Sequence, residues 1–191
     1  MKCLSCARFC LGVLCERCLE SIPFRLSMRE VRGVRVYGFF AYDDVEFLLR
    51  TKYYAIGSRI LARLARKAAH KCFGEVLAGV DLRGVCMVGI DDSARSFYSH
   101  TGVIMHEFAK ASGLAPIYGE LKAAHDISYA GKSLAYRQSH KRGLRYTHKE
   151  RDLIIIDDII TTGTSFSEAI EVCQNAGAQV HLCLALCDAR S

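Results

Sequence analysis

No apolar run in this chain of 191 residues approaches the roughly 20 that a helix needs to cross a bilayer. A membrane span is therefore not expected. Tryptophan is absent and proline occurs twice, yet the composition is not that of a disordered chain. Hydrophobic residues make up 51% of it, enough to fill one core domain with a small appendage. The start, Met1-Lys2-Cys3-Leu4-Ser5-Cys6, lacks the apolar core and cleavage site of a secretory signal. A soluble, cytoplasmic protein is expected. The formal net charge of +6 is mildly basic, consistent with phosphate-bearing partners without requiring them.

Cysteine is plentiful but unevenly spread: of the ten, five lie within the first 18 residues and five are scattered through apolar stretches. The scattered thiols read as core residues. Cys3-x2-Cys6 and Cys15-x2-Cys18, separated by eight residues with Gly12 between them, have the knuckle spacing that lets four thiolates reach one tetrahedral zinc. The rival readings are a thioredoxin-like redox pair, which needs a strand-to-helix context not visible here, and a chance cluster of buried thiols. Cys10 is out of phase with both pairs. A structural zinc would fold residues 1–20, which are too few to hold a core of their own. Residues 21–36 read as a basic linker bearing Arg25, Arg29, Arg32 and Arg35. Residues 2–36 carry a surplus of about four positive charges, which four thiolates around one zinc ion would cut to about two. Weak phosphate attraction and a plain solvated linker are both consistent with that.

Residues 37–191 read as the main domain, organised around Arg151 to Ser165. Leu153 to Ile156 are four aliphatic residues in a row, which suits a central parallel strand buried on both faces. Asp157 and Asp158 are expected to end it. A buried carboxylate needs a partner, so both are placed at the exposed carboxyl edge of the sheet, where α/β proteins bind ligands. On that placement, exchanging both for Asn should leave the fold intact. Thr161, Thr162, Gly163 and Thr164 then form a tight turn opening a helix from Ser165 to Ala176. Such a turn aims hydroxyls, free backbone N–H groups and the positive helix end at one point. That arrangement suits a phosphate.

The string from Leu153 to Ser165 resembles the signature of the type I phosphoribosyltransferases for 5-phosphoribosyl 1-pyrophosphate (PRPP). The resemblance implies that Asp157, Asp158, Ile159, Thr161, Thr162, Gly163, Thr164 and Ser165 bind PRPP with magnesium, and that Asp157 and Asp158 are the catalytic pair.

Elsewhere the pattern alternates strands and helices. Val34 to Tyr42 reads as a strand or hairpin, and Asp43-Asp44 as the cap of a following helix. A helix over Gly57 to Cys72 puts Ile60, Leu61, Leu64, Ala65 and Ala68 on one face and Arg59, Arg63, Arg66, Lys67 and His70 on the other. That basic stripe reads as a wet helix face, with nucleic-acid contact the minority reading. Gly84 to Ile90 is a buried strand, ended by Asp91, Asp92 and Ser93. A helix over Gly102 to Ala111, a strand over Leu114 to Tyr118, a polar stretch from Gly119 to Lys149 expected as a lid, and a last strand over Ala178 to Leu186 complete the chain. Gly131-Lys132-Ser133 mimics the end of a P-loop, but Asp126 stands where its first Gly is needed.

These elements predict an α/β fold, a mostly parallel sheet flanked by helices with an N-terminal four-cysteine zinc finger. The paired Cys-x2-Cys, the Lys52-Tyr53 element, Arg95-x-Phe97 and the PRPP motif together resemble the ComF family of competence-related phosphoribosyltransferases. By that resemblance the loop Ile90 to Ala94, with Asp91, Asp92, Ser93, Ala94 and Arg95, cradles pyrophosphate. The family's Pro-x-Pro and Arg-Gly-Phe-Asn are here Gly89-Ile90-Asp91 and Arg95-Ser96-Phe97-Tyr98. The resemblance implies a phosphoribosyl group transferred or bound, single-stranded DNA handled during natural transformation, and a peripheral association with the DNA-uptake machinery. The rival functions are a PRPP-sensing DNA-binding module without turnover, favoured by the altered loop, and a transcriptional regulator, for which no recognition helix is visible.

Overall fold

The computed structural model describes residues 1–91, 93–94, 97–124, 143–148 and 151–190. After the cysteine cluster a short helix, α1 (Glu16–Ser21), leads to an antiparallel hairpin, β1 (Ser27–Val31) and β2 (Val34–Ala41). Arg32 and Gly33 join them with φ of 52° and 77°, the left-handed pair that a two-residue hairpin turn requires if the strands are to keep their twist. Much of the segment expected as a linker is thus paired sheet, with Ser27 opposite Gly38 and Val31 opposite Val34.

The helices α2 (Tyr42–Arg50) and α3 (Gly57–Lys71) follow, then β3 (Cys86–Gly89), α4 (His100–Ser112) and β4 (Ala115–Ile117). A small antiparallel pair, β5 (Leu121–Ala123) and β6 (Leu144–Tyr146), precedes β7 (Asp152–Ile160), α5 (Thr164–Asn175) and β8 (Gln179–Asp188). Asp43 and Asp44, expected as a cap, lie instead in the first turn of α2, whose N-cap is Ala41. There they still oppose the positive end of the helix.

The main sheet runs β1-β2-β8-β7-β3-β4, parallel throughout except for β1. This is an α/β architecture with a four-cysteine cluster at its N-terminal end. Because side chains alternate along a strand, β7 feeds both faces. Ile154 and Ile156 enter the core shared with α2, α3 and α4, whereas Leu153 and Ile155 enter the core beneath α5 and the β5–β6 pair. All four are fully buried, which explains an aliphatic run with no polar alternation. Among the described residues no helix is long and apolar enough to cross a membrane.

On the basic face of α3, Arg59, Arg66 and His70 are exposed as expected, but three of its cations are also tied to the rest of the protein. Arg63 pairs with Glu16 at 2.6 Å and Arg66 with Glu107 at 2.9 Å. Lys67 Nζ donates to the carbonyls of Leu19 and Ile22 at 2.8 and 2.6 Å, satisfying acceptors that the end of α1 leaves open. Cys3, Val13 and Leu14 of the cysteine module are buried in the core that α3 lines. The module is therefore built into the domain.

Candidate functional site

The strand β7 does not stop at the acidic pair, as the sequence suggests, but continues to Ile160. The reason is β8, which runs alongside and pairs Asp157 with Ala185 and Ile160 with Asp188. On the other flank β3 ends at Gly89, opposite Ile156. Asp157 and Asp158 thus stand past the end of one neighbour while held by the other, at the carboxyl edge of the sheet. Asp157 is half-buried, and its Oδ1 accepts the backbone N–H of Asp158 at 2.8 Å.

Asp158 is not an exposed turn carboxylate. It is 8% accessible, and its Oδ2 accepts from Lys52 Nζ at 2.5 Å. Burial lowers the Lys52 pKa, but the Asp158 charge and hydrogen bond outweigh it and the net shift is upward. Lys52 comes from a single 3-10 turn, Thr51–Tyr53. Tyr98 donates to its carbonyl at 2.8 Å. The turn leaves no room at Gly57, where a Cβ would lie 2.1 Å from the Thr51 carbonyl oxygen. A site expected to be built from Ile90 onward thus draws a cation from the chain before α3.

Thr161, Thr162 and Gly163 follow β7, and α5 begins at Thr164. Gly163 has a φ of 83° and is the N-cap, with no side chain to close the helix end. Thr162 and Thr164 face each other, Oγ1 to Oγ1, at 2.9 Å. Among the described residues no backbone carbonyl meets the N–H groups of Thr162, Gly163, Thr164 or Ser165. These donors, the hydroxyls and the positive end of a three-turn helix make a fitting cradle for a phosphate.

The loop after β3 begins on the same edge. Asp91 takes a φ of 52°, and its Oδ1 accepts the N–H of Ala123 at 3.2 Å while its own N–H donates to Leu121 at 2.8 Å. It ties the β5–β6 pair to the end of β3. Ser93 turns back onto the Asp91 carbonyl at 2.7 Å, and Ala94 is exposed. Asp92 and Arg95 lie outside the described residues, as do residues 125–142 and 149 of the expected lid.

At the opposite end of the chain the Sγ atoms of Cys3, Cys6, Cys15 and Cys18 all lie within 4.8 Å of one another. Cys6 and Cys15 are 3.8 Å apart, which is the sulfur spacing about a tetrahedral zinc with Zn–S of about 2.3 Å. The Cys15 N–H donates to Cys3 Sγ at 3.3 Å; it and the Cys6 N–H pull the Cys3 pKa down to about 6. At Cys18 a hydrogen bond with Ser5 pulls the pKa down, but the Cys15 and Cys6 sulfurs push harder and raise it to about 12. Four sulfur donors converging on one point, with the spacing of a tetrahedral thiolate site, suit a soft cation at their centre. They are positioned to bind a metal such as zinc. Cys10 turns away to the Gly12 carbonyl, and the ten cysteines form no disulfide. Burial pushes Cys72 and Cys173 up to about 12, as suits inert core thiols.

No protein-family model matches this chain, and no curated protein matches it either. Among solved structures it is similar to the UMP synthase of Leishmania donovani, with 20% sequence identity and a TM-score of 0.41. The match covers 89% of this chain and 30% of that one, so the chain spans less than a third of that protein's length.

Three residues at the site carry no local signal in the sequence. Lys52 stands out there only as part of a Lys-Tyr pair, and its partner is 106 positions away. Arg29 and Asp188, 159 positions apart, form a second ion pair beneath the Thr161 turn. Nothing short of the strand order brings these groups together.

Proposed function

We propose that this chain is a PRPP-binding, phosphoribosyltransferase-like protein whose ligand sits at the junction of β7 and α5. The observation that carries this reading is the continuity of the site. One strand delivers two carboxylates to the open edge of the sheet and passes without a break into a Thr-Gly turn and an uncapped helix. The N–H groups and hydroxyls from Thr161 to Ser165 would hold the 5′-phosphate, a remote handle that positions the ribose C1. Asp157 and Asp158 would accept from the ribose hydroxyls and favour positive charge on the sugar as the C1–O bond lengthens. Lys52 leaves the acidic pair with a net charge of about minus one, enough to favour that charge without expelling the phosphates. Magnesium, when bound by the pyrophosphate and ribose hydroxyls near Asp157 and Asp158, supplies neutralisation of the leaving group. The loop from Ile90 to Ala94 with Arg95 is assigned to the pyrophosphate, by the ComF resemblance.

Calorimetric titration with PRPP tests the reading. The wild-type chain should bind it, and magnesium should strengthen the binding. No heat at millimolar PRPP overturns it. Pyrophosphate release in the presence of nucleobases or amines then separates a transferase from a PRPP-sensing module.

The ComF resemblance extends the proposal to a cytoplasmic protein that handles single-stranded DNA during natural transformation, in association with the uptake machinery. The basic residues that first suggest DNA contact are mostly committed elsewhere: Arg25 pairs with Asp44, Arg29 with Asp188, and Arg63 and Arg66 as above. The zinc end is the better surface. Phe9 and Leu11 are exposed there, and Lys2, Arg8 and Arg17 have no carboxylate partner among the described residues. An exposed ring among cations suits base stacking with phosphate contacts. Affinity for single-stranded DNA should fall steeply with salt and drop roughly tenfold in Phe9→Ala. A salt-independent affinity, or one unmoved by that change, removes this surface.

A further inference from the structure

The inward face of β1 is given over entirely to the far end of the sheet. Side chains alternate along a strand, so Ser27, Arg29 and Val31 point one way while Met28 and Glu30 point to solvent. Ser27 Oγ donates to Asp188 Oδ2 at 2.8 Å. Arg29 donates to both carboxylate oxygens of Asp188, through Nε at 2.8 Å and through Nη2. Its remaining nitrogen, Nη1, donates to the Thr161 carbonyl at 2.6 Å. Val31 packs where a Cβ on Gly163 would come to 3.2 Å from its Cγ2.

Asp188, the last residue of β8, is 1% accessible. It fits because Gly38 on β2 has no side chain, since a Cβ there would lie 2.9 Å from the Asp188 Cβ. Its Oδ1 also accepts the Arg190 N–H at 2.8 Å. Burial and the nearby Arg190 both lower the Arg29 pKa, so a guanidinium held here needs the fork of Asp188 opposite it. All three guanidinium nitrogens of Arg29 are engaged within the protein, two on Asp188 and the third on the turn.

We infer that Arg29 is a positioning residue for the phosphate turn: anchored on Asp188, it fixes the Thr161 carbonyl and with it the peptide plane that aims the Thr162 N–H. The Thr161–Thr162 peptide is planar and trans, so a carbonyl drawn onto β1 directs the N–H of the next residue away from β1. Lysine could not replace the guanidinium, because a point charge cannot span two carboxylate oxygens and a carbonyl together. A hairpin at the edge of the sheet thereby sets the geometry of a turn 132 residues further along the chain.

The inference rests on the phosphoribosyl reading, and the experiment separates the two. Ribose 5-phosphate and PRPP are each titrated into the full-length wild-type chain, Arg29→Met, Arg29→Lys and the outward-facing control Glu30→Gln, with Tm measured for all. Arg29→Met should weaken both ligands by the same factor, roughly ten- to a hundredfold, the worth of a charge-assisted hydrogen bond. Arg29→Lys should keep more of its Tm than Arg29→Met yet recover little affinity, and Glu30→Gln should match the wild type. Unchanged affinity in a folded Arg29→Lys overturns the inference, as does a loss for PRPP that exceeds the loss for ribose 5-phosphate, which would place the defect at the pyrophosphate end. Should Arg29→Met not fold, Arg29→Lys decides alone. A wild-type chain that binds neither ligand brings down the phosphoribosyl reading and this inference with it.

Discussion

Asp158→Asn should destabilise the protein by about 2–3 kcal/mol and weaken PRPP binding at least tenfold, whereas Asp157→Asn should weaken binding with little effect on stability. Asp158 and Lys52 have side-chain exposures of 11% and 18%. Removing one charge from such a pair strands the other in a poorly solvated site, which costs about 3–5 kcal/mol when burial is complete. The remaining exposure trims that figure. For a chain of this length the Tm should fall by roughly 5–10 °C. The expectation from sequence, that exchanging both acids leaves the fold intact, rests on both being exposed; Asp157 is half-buried and Asp158 is buried.

The pH dependence follows from the sign of the Lys52 shift. Burial lowers its pKa, Asp158 more than offsets this, and the folded value lies above the unfolded one. The stabilisation is then fully present below the unfolded pKa of about 10.4 and is lost only as pH rises through the folded value. Measurements near pH 7 therefore read the whole pair. A double-mutant cycle with Lys52→Met isolates it, since the double variant should be less destabilised than the sum of the singles. Full additivity would mean that the two groups do not interact.

Cys15→Ser should lose its metal and unsettle the domain as well as the knuckle. Metal analysis of the wild-type chain is expected to give about one zinc per chain, because four thiolates fill the coordination sphere and leave no place for water. The variant should give close to none. Cys3, Val13 and Leu14 share a core with α3 and α4, and Lys67 and Arg63 of α3 hold α1. Loss of the metal should therefore lower the Tm of the whole chain in one transition. It should also loosen the route to Lys52, which leads into α3. A folded wild-type chain without metal, with Cys3 joined to Cys6 in a disulfide, would refute the zinc assignment. A separate low-temperature transition that leaves the main one unmoved would show that the knuckle melts alone.

What the sequence alone determined is what depends on neighbours along the chain. The aliphatic run from Leu153 to Ile156 suits a strand covered on both sides. The order of acidic pair, Thr-Gly turn and helix is local, and so is a pair of Cys-x2-Cys knuckles whose sulfurs meet within 4.8 Å. The alternation of strands and helices was equally plain, and with it the α/β class.

The tertiary structure decided which charges meet. Lys52 reaches Asp158, Arg29 reaches Asp188 and Thr161, and Arg66 of α3 reaches Glu107 of α4. Each pair depends on which strands and helices become neighbours, and that order is settled by burying both faces of one sheet at once. The same packing carried β7 past its acidic pair, because β8 lay alongside to accept the ladder. It turned a segment that reads as a linker into the edge hairpin β1–β2, since Arg32 and Gly33 could adopt the left-handed turn that joins the strands. A charge read in sequence has only its type; its partner, and hence its energy, comes from the fold.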